Sequence, residues 1–178
     1  ELVPAVAEGA VRLAGEGRWQ EAARSVLELA ERYPGDAGVL AALLLNRVTL
    51  APGEALYLPA GNLHMYLSGA GVELMANSDN VLRGGLTPKH VDVPELLRVL
   101  DFDAEPPPVL TGVAEGAWVR YDTPAEEFLL RRFTGSGPAA VPDGGPRILL
   151  CTAGEAVVAA GGTELALAKG DAVWLAAS

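Results

Sequence analysis

The first part of the chain has the spacing of apolar residues that predicts an amphipathic helix. From Trp19 to Tyr33 the apolar positions recur every three or four residues, and Pro34-Gly35 ends the pattern. Asp36 then offers an amino-terminal cap for a short second helix. We therefore expect a helical segment over residues 1–46, with extended chain after it.

From residue 47 onward, short β-favouring runs alternate with turns rich in glycine and proline, which is typical of a barrel or a sandwich. The earlier runs are 48–50, 55–58, 65–67 and 72–76, and the later ones are 118–121, 128–133, 148–152, 156–159, 163–167 and 172–175. Between the two sets lie a helix with a capping-box pattern, Asp92 followed by Glu95, and an acidic, proline-rich stretch at 103–108. The pattern predicts one β unit over 47–102 and a second over 103–178.

Two stretches of the chain echo each other. Residues 50–60 align with residues 167–177, and in both a turn made of glycine and an acidic residue leads into an apolar strand. Such turns reverse the chain at the rim of a barrel. The echo favours two related β units.

Composition and charge restrict the class of protein. Half of the 178 residues are apolar, which suffices for a buried core. Thirteen basic residues against twenty-three acidic ones give a net charge of −10, so we discount nucleic acids and anionic membranes as partners. The single Cys151 cannot form an intrachain disulfide, and no run reaches the roughly 18 apolar residues of a membrane span. These features favour a cytoplasmic protein.

His64 and Glu73 are the first candidates for chemistry. An imidazole that follows a strand and a turn suits metal binding or general-base catalysis. One histidine is not a metal site, however, and the residues alone favour an ordinary hydrogen-bonded histidine over a ligand. Strand alternation sends Glu73 to the face opposite Val72 and Leu74. Glu73 therefore faces either solvent or a barrel cavity.

Arg83 and Lys89 are the candidate cations. Arg83 precedes two glycines, which let a ligand or another backbone come close, and its guanidinium can hold an anion through paired hydrogen bonds. A salt bridge from Arg83 to Asp79 across the intervening turn is compatible with that role. Lys89 can meet a phosphate as a point charge.

The stretch from Leu43 to Leu97 resembles the strongly patterned region of type I mannose-6-phosphate isomerases, and the helical start and second β unit are similar to that family in order. The matching motifs are LLLNRV at 43–48, PGEALYLPA at 52–60, HMYL at 64–67, ELMANSDNVLRGGLTPK at 73–89 and DVPEL at 92–96. The resemblance implies a mainly β fold of cupin-like jelly-roll barrels, of which this chain is the carboxy-terminal portion.

The resemblance also implies an activity and a cofactor. Mannose 6-phosphate and fructose 6-phosphate would be interconverted through a cis-enediol intermediate, with zinc held by Gln, His, Glu and a later His. His64 matches the later histidine, and the other three ligands belong to an amino-terminal part of the protein. Because one imidazole cannot hold zinc tightly, we expect the chain alone to be inactive.

The remaining roles follow from the same resemblance. Arg83 matches the catalytic arginine, which would stabilise the enediolate. Asp79 and Glu73 match polar residues of the family's site and would orient Arg83 and assist proton transfer, and Lys89 would neutralise substrate charge. Gly84 departs from the family, because many relatives carry alanine there.

Two other functions remain open. A non-catalytic sugar-binding or regulatory cupin could keep the fold without the chemistry, whereas an iron-dependent cupin oxygenase is disfavoured by the lack of further histidines in suitable positions. A part of a barrel also exposes sheet edges. We therefore expect the isolated chain to associate with itself.

Overall fold

The helices and small antiparallel sheets of the chain belong to two units. The computed structural model describes residues 2–78, 80–102, 106–142 and 144–177. The two units are Glu1–Thr134 and Gly135–Ser178, and each is described by itself. The three parts expected from the sequence, with a boundary near residue 102, stay a prediction.

The first unit begins with helices, which confirms the helical segment predicted from the spacing of apolar residues. The helices are α1 (Leu2–Leu13), α2 (Gln20–Arg32) and α3 (Gly38–Ala41), and a 3₁₀ turn (Ala42–Leu44) follows. Their apolar faces meet in a core because the 3.6-residue period places the apolar side chains of each helix on one side. The core residues are Val3, Ala10, Ala23, Val26, Leu29 and Val39.

A further helix in this unit, α4 (Val93–Val99), begins as predicted after the cap residue Asp92. The Asp92 carboxylate accepts a hydrogen bond from the Glu95 backbone N–H at 3.1 Å. The reciprocal half of the predicted capping box is wrong. The Glu95 carboxylate instead accepts from Arg98 Nε at 2.8 Å, because a charged donor lies one turn further along the helix.

The strands expected between residues 47 and 102 form only in part. Among the described residues of that range, the structure has one strand, β1 (Ala55–Leu56), which pairs antiparallel with β2 (Val109–Leu110). The predictions of strands at 48–50, 65–67 and 72–76 are wrong, because these residues form no strand ladder in the structure. A strand needs a neighbour to complete its hydrogen-bonded ladder, and apolar alternation alone does not supply one.

A three-stranded antiparallel sheet completes the first unit. Its strands are β3 (Val113–Glu115), β4 (Trp118–Tyr121) and β5 (Leu130–Phe133), in that order. Tyr121 is buried, and its hydroxyl donates to the Gly53 carbonyl at 2.6 Å, which ties the sheet to the turn before β1. Across the sheet, Glu115 accepts from Arg131 Nε at 2.5 Å.

The second unit consists of two strand pairs. β6 (Arg147–Leu150) pairs antiparallel with β9 (Ala172–Leu175), and β7 (Glu155–Ala160) pairs with β8 (Thr163–Ala168). The predicted hairpin at Gly161-Gly162 is confirmed. Both glycines have positive φ, 58° and 78°, as a tight two-residue turn requires.

The two echoing stretches form the same turn. In residues 51–54 and 168–171 the backbone N–H of the first residue donates to the carboxylate of the fourth, at 2.7 Å and 2.9 Å. The fourth N–H donates back to the first carbonyl at 3.0 Å and 2.9 Å, and the third residue is a glycine with φ of 92° and 100°. An apolar strand follows each turn, β1 in one case and β9 in the other. The repeat read from the sequence is thus a repeat of local structure.

None of the helices formed by the described residues combines the length and apolar character of a membrane-crossing segment.

Candidate functional site

His64 and Arg83 line the same cavity. The cavity has a volume of about 270 Å³ and lies in the first unit, between α3 with its 3₁₀ turn, the segment around His64 and the loop that carries Arg83. The lining residues are Gly38, Ala41, Ala42, Leu45, Leu63, His64, Met65, Leu82, Arg83, Gly84, Gly85, Leu86 and Thr87. His64 and Arg83 therefore both border one space, whose other lining residues are small or apolar.

The His64 ring is held in one orientation by its own segment. Its Nδ1 lies 3.0 Å from the Asn62 carbonyl oxygen, so a proton on Nδ1 makes a hydrogen bond there. That tautomer leaves a lone pair on Nε2, which lies 3.9 Å from a carboxylate oxygen of Glu73. About half of the His64 side chain is exposed, which leaves Nε2 accessible to a ligand.

Glu73 lies near both His64 and Tyr66, and the sequence pattern had not identified Tyr66 as a candidate. Glu73 lies close enough to Tyr66 to affect the pKa of its hydroxyl group. Partial desolvation raises the pKa of Tyr66 above its usual value, and the negative charge and hydrogen bond of Glu73 raise it further. Tyr66 therefore stays protonated and can donate. The two-residue period of extended chain, which puts residues 64 and 66 on one side, could have identified it.

Arg83 is exposed at the wall of the cavity, in the loop 82–87. A methyl group added at Gly84 would overlap the end of the Leu63 side chain, so the loop packs directly on the segment that leads to His64. Asp79 lies outside the described residues, and its predicted pairing with Arg83 stays a prediction. Beside Arg83, the described part of the loop consists of Gly84 and Gly85 in the cavity wall.

Lys89 does not belong to the cavity wall. It is exposed, and its backbone N–H donates to the Thr87 hydroxyl at 3.2 Å. Thr87 does line the cavity, so the Thr-Pro-Lys turn connects Lys89 to the rim. Its role toward a substrate stays a prediction.

The described residues supply only part of a metal site. They contain no group of three or more His, Cys, Asp or Glu side chains arranged to hold a metal ion. His64 fits as one ligand, because its Nδ1 hydrogen bond to a carbonyl is the usual way in which a metal-binding imidazole is oriented. A zinc ion takes three or four protein ligands, so further ligands must come from other parts of a protein.

Comparison with known proteins supports the resemblance seen in the sequence. No protein-family model matches the chain. The mannose-6-phosphate isomerase of Escherichia coli strain K12 is 40% identical over 153 residues, which cover 84% of this chain and 39% of that protein. Mannose-6-phosphate isomerase 2 of Arabidopsis thaliana is 41% identical over 163 residues, 88% of this chain and 36% of that protein. This chain is a homologue of part of the mannose-6-phosphate isomerases.

Solved structures of mannose-6-phosphate isomerase agree with the fold. The Salmonella typhimurium enzyme, bound to fructose 6-phosphate and zinc, superposes with a TM-score of 0.76 at 31% identity, covering 97% of this chain and 44% of that one. A single-residue variant of the same enzyme superposes with a TM-score of 0.79 at 34% identity, covering 98% and 44%. The chain spans about two fifths of the length of the mannose-6-phosphate isomerases it matches. Its small antiparallel sheets and helices resemble the corresponding part of that fold.

Proposed function

We propose that the whole protein to which this chain belongs interconverts mannose 6-phosphate and fructose 6-phosphate. The observation that carries the proposal is the shared cavity of His64 and Arg83, found in a homologue of mannose-6-phosphate isomerases. An aldose-ketose exchange moves a proton between neighbouring carbons through a cis-enediol. It needs a group that stabilises negative charge and a group that accepts and returns the proton.

Arg83 is suited to the first task. Its guanidinium can donate two parallel hydrogen bonds to the enediolate oxygens, and it is always charged. Gly84 and Gly85 follow it in the cavity wall and leave room for a sugar to approach. Donors that are already in place when the charge develops lower the barrier most.

His64 is suited to holding zinc through Nε2. Zinc, when bound, polarises a carbonyl or hydroxyl oxygen as a Lewis acid. The Asn62 carbonyl fixes the tautomer, and the remaining Gln, His and Glu ligands would come from the rest of the protein. In this arrangement the chain provides one ligand of four.

Glu73 is our candidate for moving the proton, with Asp79 as a second carboxylate that orients Arg83. Support for Glu73 comes from its place 3.9 Å from His64 Nε2 and from its influence on the pKa of Tyr66. A protonated Tyr66 would donate a hydrogen bond to the Glu73 carboxylate and so hold it in place. Lys89, at the rim beside Thr87, would attract the phosphate.

We further propose that the chain contributes part of a cupin-like barrel, in a cytoplasmic enzyme. The runs 48–50, 65–67 and 72–76 have the alternation of strands, and in the described residues they lack ladder partners. Leu74 is 40% exposed and Met75 65% exposed, so this segment offers apolar surface for strands from the rest of the protein. The isolated chain should then self-associate, and a clean monomer in light scattering would contradict this.

The test uses the full-length protein with a coupled assay for fructose 6-phosphate. Arg83→Ala should lower kcat by about 10²–10³-fold, the usual loss for one donor to a developing oxyanion, with zinc content unchanged. His64→Ala should lose zinc, measured by mass spectrometry. Arg98→Ala, which removes an exposed arginine paired with Glu95 on α4, is the matched control and should keep full activity.

Three results would separate the alternatives. No turnover by the full-length, zinc-loaded protein refutes the isomerase. Sugar phosphate binding without turnover, with Arg83→Ala costing affinity alone, would indicate the non-catalytic binding protein. A rise in KM together with a fall in kcat for the Arg98→Ala control would show that the assay reports folding rather than chemistry.

A further inference from the structure

Asp36 connects the start of α3 to the loop that carries Arg83. One carboxylate oxygen, Oδ1, accepts from the Gly38 backbone N–H at 2.7 Å. The other, Oδ2, accepts from the Leu86 backbone N–H at 3.0 Å, fifty residues further along the chain. The sequence predicts a cap for α3 at this position, and a cap needs only one of the two oxygens. The second bond joins two segments of the cavity wall.

The two segments touch at their glycines. A methyl group on Gly38 would lie 2.8 Å from Leu86 Cγ and 3.0 Å from the Leu86 nitrogen. Gly85 has a φ of 120°, and a methyl group there would lie 3.1 Å from the Gly38 Cα. Neither position leaves room for a side chain. The loop therefore packs directly on the start of α3, and the close contact restricts how the two segments can be arranged.

Leu86 shows that this geometry is imposed on the loop. Its φ is 53°, in the left-handed region that branched and bulky residues avoid. Such a conformation persists only where surrounding contacts hold it. The bond from the Leu86 N–H to Asp36 is the polar contact that does so, and Leu86 follows Arg83 by three residues.

We propose that Asp36 is a positioning residue for Arg83. By accepting from both Gly38 and Leu86, it fixes the loop so that the Arg83 guanidinium faces the cavity it shares with His64. A carboxylate is needed because it offers two acceptor oxygens, whereas an asparagine side chain offers one oxygen and an NH₂ group that cannot accept. The inference rests on the proposed isomerase function for its kinetic consequence, but the effect on the loop does not depend on that function.

The first test is kinetic and uses the full-length protein. Asp36→Asn should lower kcat by about 10- to 100-fold, as small misplacements of catalytic groups do, with little change in KM or zinc content. In an Arg83→Ala background the same change should have almost no further effect on kcat, because Asp36 acts through Arg83. Asp92→Asn, a matched aspartate cap on α4, should leave kcat unchanged.

The second test measures the loop directly by hydrogen-exchange mass spectrometry. Asp36→Asn should raise amide exchange in residues 82–87, while Asp92→Asn should not. Asp36→Glu keeps both acceptor oxygens and should stay closer to the native protein, as a rescue control. Asp36→Ser, which keeps a single short acceptor, replaces the asparagine variant if that one does not fold. Unchanged exchange in 82–87 overturns the inference. An equal loss of kcat with and without Arg83 overturns it too, whereas faster loop exchange in a protein without isomerase activity would defeat the proposed function alone.

Discussion

Adding one methyl group at either of two glycines in the cavity wall should have very different effects. Gly38 and Gly84 both line the cavity, and neither has a positive φ, so alanine can adopt both backbones. What differs is the neighbour that the new methyl group meets. At Gly38 it is the Leu86 Cγ together with the Leu86 backbone nitrogen and the Asp36 carboxylate, and at Gly84 it is the side chain of Leu63 alone.

The structure gives a magnitude for each change. For Gly84→Ala, the Leu63 side chain must turn away, which costs about 0.5–1.5 kcal/mol. Alanine also lowers the conformational entropy of the unfolded chain, which stabilises the folded protein by about 0.4–1 kcal/mol. The net change in the free energy of unfolding should lie within about 1 kcal/mol of zero. For Gly38→Ala, the new group lies 3.0 Å from the Leu86 nitrogen, which is backbone, and 3.0 Å from Asp36 Oδ1, in a carboxylate held by two hydrogen bonds. Overpacking of about 1–3 kcal/mol should then exceed the gain in helix propensity of up to about 1 kcal/mol.

The assay is urea unfolding of the full-length protein, followed by circular dichroism, with both variants beside the native protein. Gly38→Ala should unfold at a lower urea midpoint than Gly84→Ala, with similar slopes. It should also raise hydrogen exchange in the loop 82–87, because the loop must move away from α3. If Gly38→Ala is as stable as the native protein, or if Gly84→Ala is the weaker of the two, the close contact between α3 and the loop is not present in solution.

Three more predictions concern other parts of the first unit. Leu29→Ala should lower the free energy of unfolding by about 2–5 kcal/mol, because Leu29 is 2% exposed. Leu2→Ala, at a 65% exposed position on α1, should change it by less than about 0.5 kcal/mol. Equal losses in chemical denaturation would contradict the assignment of the core. Asp92→Ala should cost about 0.5–2 kcal/mol through the lost cap, and Asp92→Asn close to nothing, so a large loss for asparagine in the same titration would argue against a capping role. The hydrogen bond from Arg131 is the main cause that lowers the pKa of Glu115, so its stabilisation is present above the unfolded value of about 4.5 and is lost as pH falls through the lowered folded value. Thermal unfolding of Glu115→Gln between pH 6 and 3 should therefore show a shallower acid loss than the native protein, and parallel curves would refute this.

Local structure could be read from the sequence where a few neighbouring residues determine it. The period of apolar residues predicted α2 because one stripe of a helix is enough to bury Leu29. The repeated turns at 51–54 and 168–171 were visible because a glycine and an acidic residue, fixed in spacing, make the same pair of hydrogen bonds each time. The Asp92 cap was visible for the same reason.

Pairing over long distances along the chain could not be read in this way. The alternation at 65–67 and 72–76 indicates which side chains share a face, but it does not say which strand completes the ladder. The bond from Asp36 to Leu86 spans fifty residues, and the short-range cap explains the same aspartate without it. Tyr66 was passed over because a tyrosine in an apolar run reads as packing until its hydroxyl partner is known.

The charge of the cavity explains how an acidic chain could accept a phosphorylated sugar. The net charge of −10 repels phosphate at long range, but that field is screened over about 8–10 Å at physiological salt. Among the described residues that line the cavity, none is a carboxylate, and Arg83 contributes a positive charge. The positive charge that a phosphorylated sugar could meet in this cavity is therefore that of Arg83, although the carboxylates of Asp36 and Glu73 lie beside other lining residues. A residue that fixes where the guanidinium lies, as we propose for Asp36, then determines where in the cavity negative charge is stabilised.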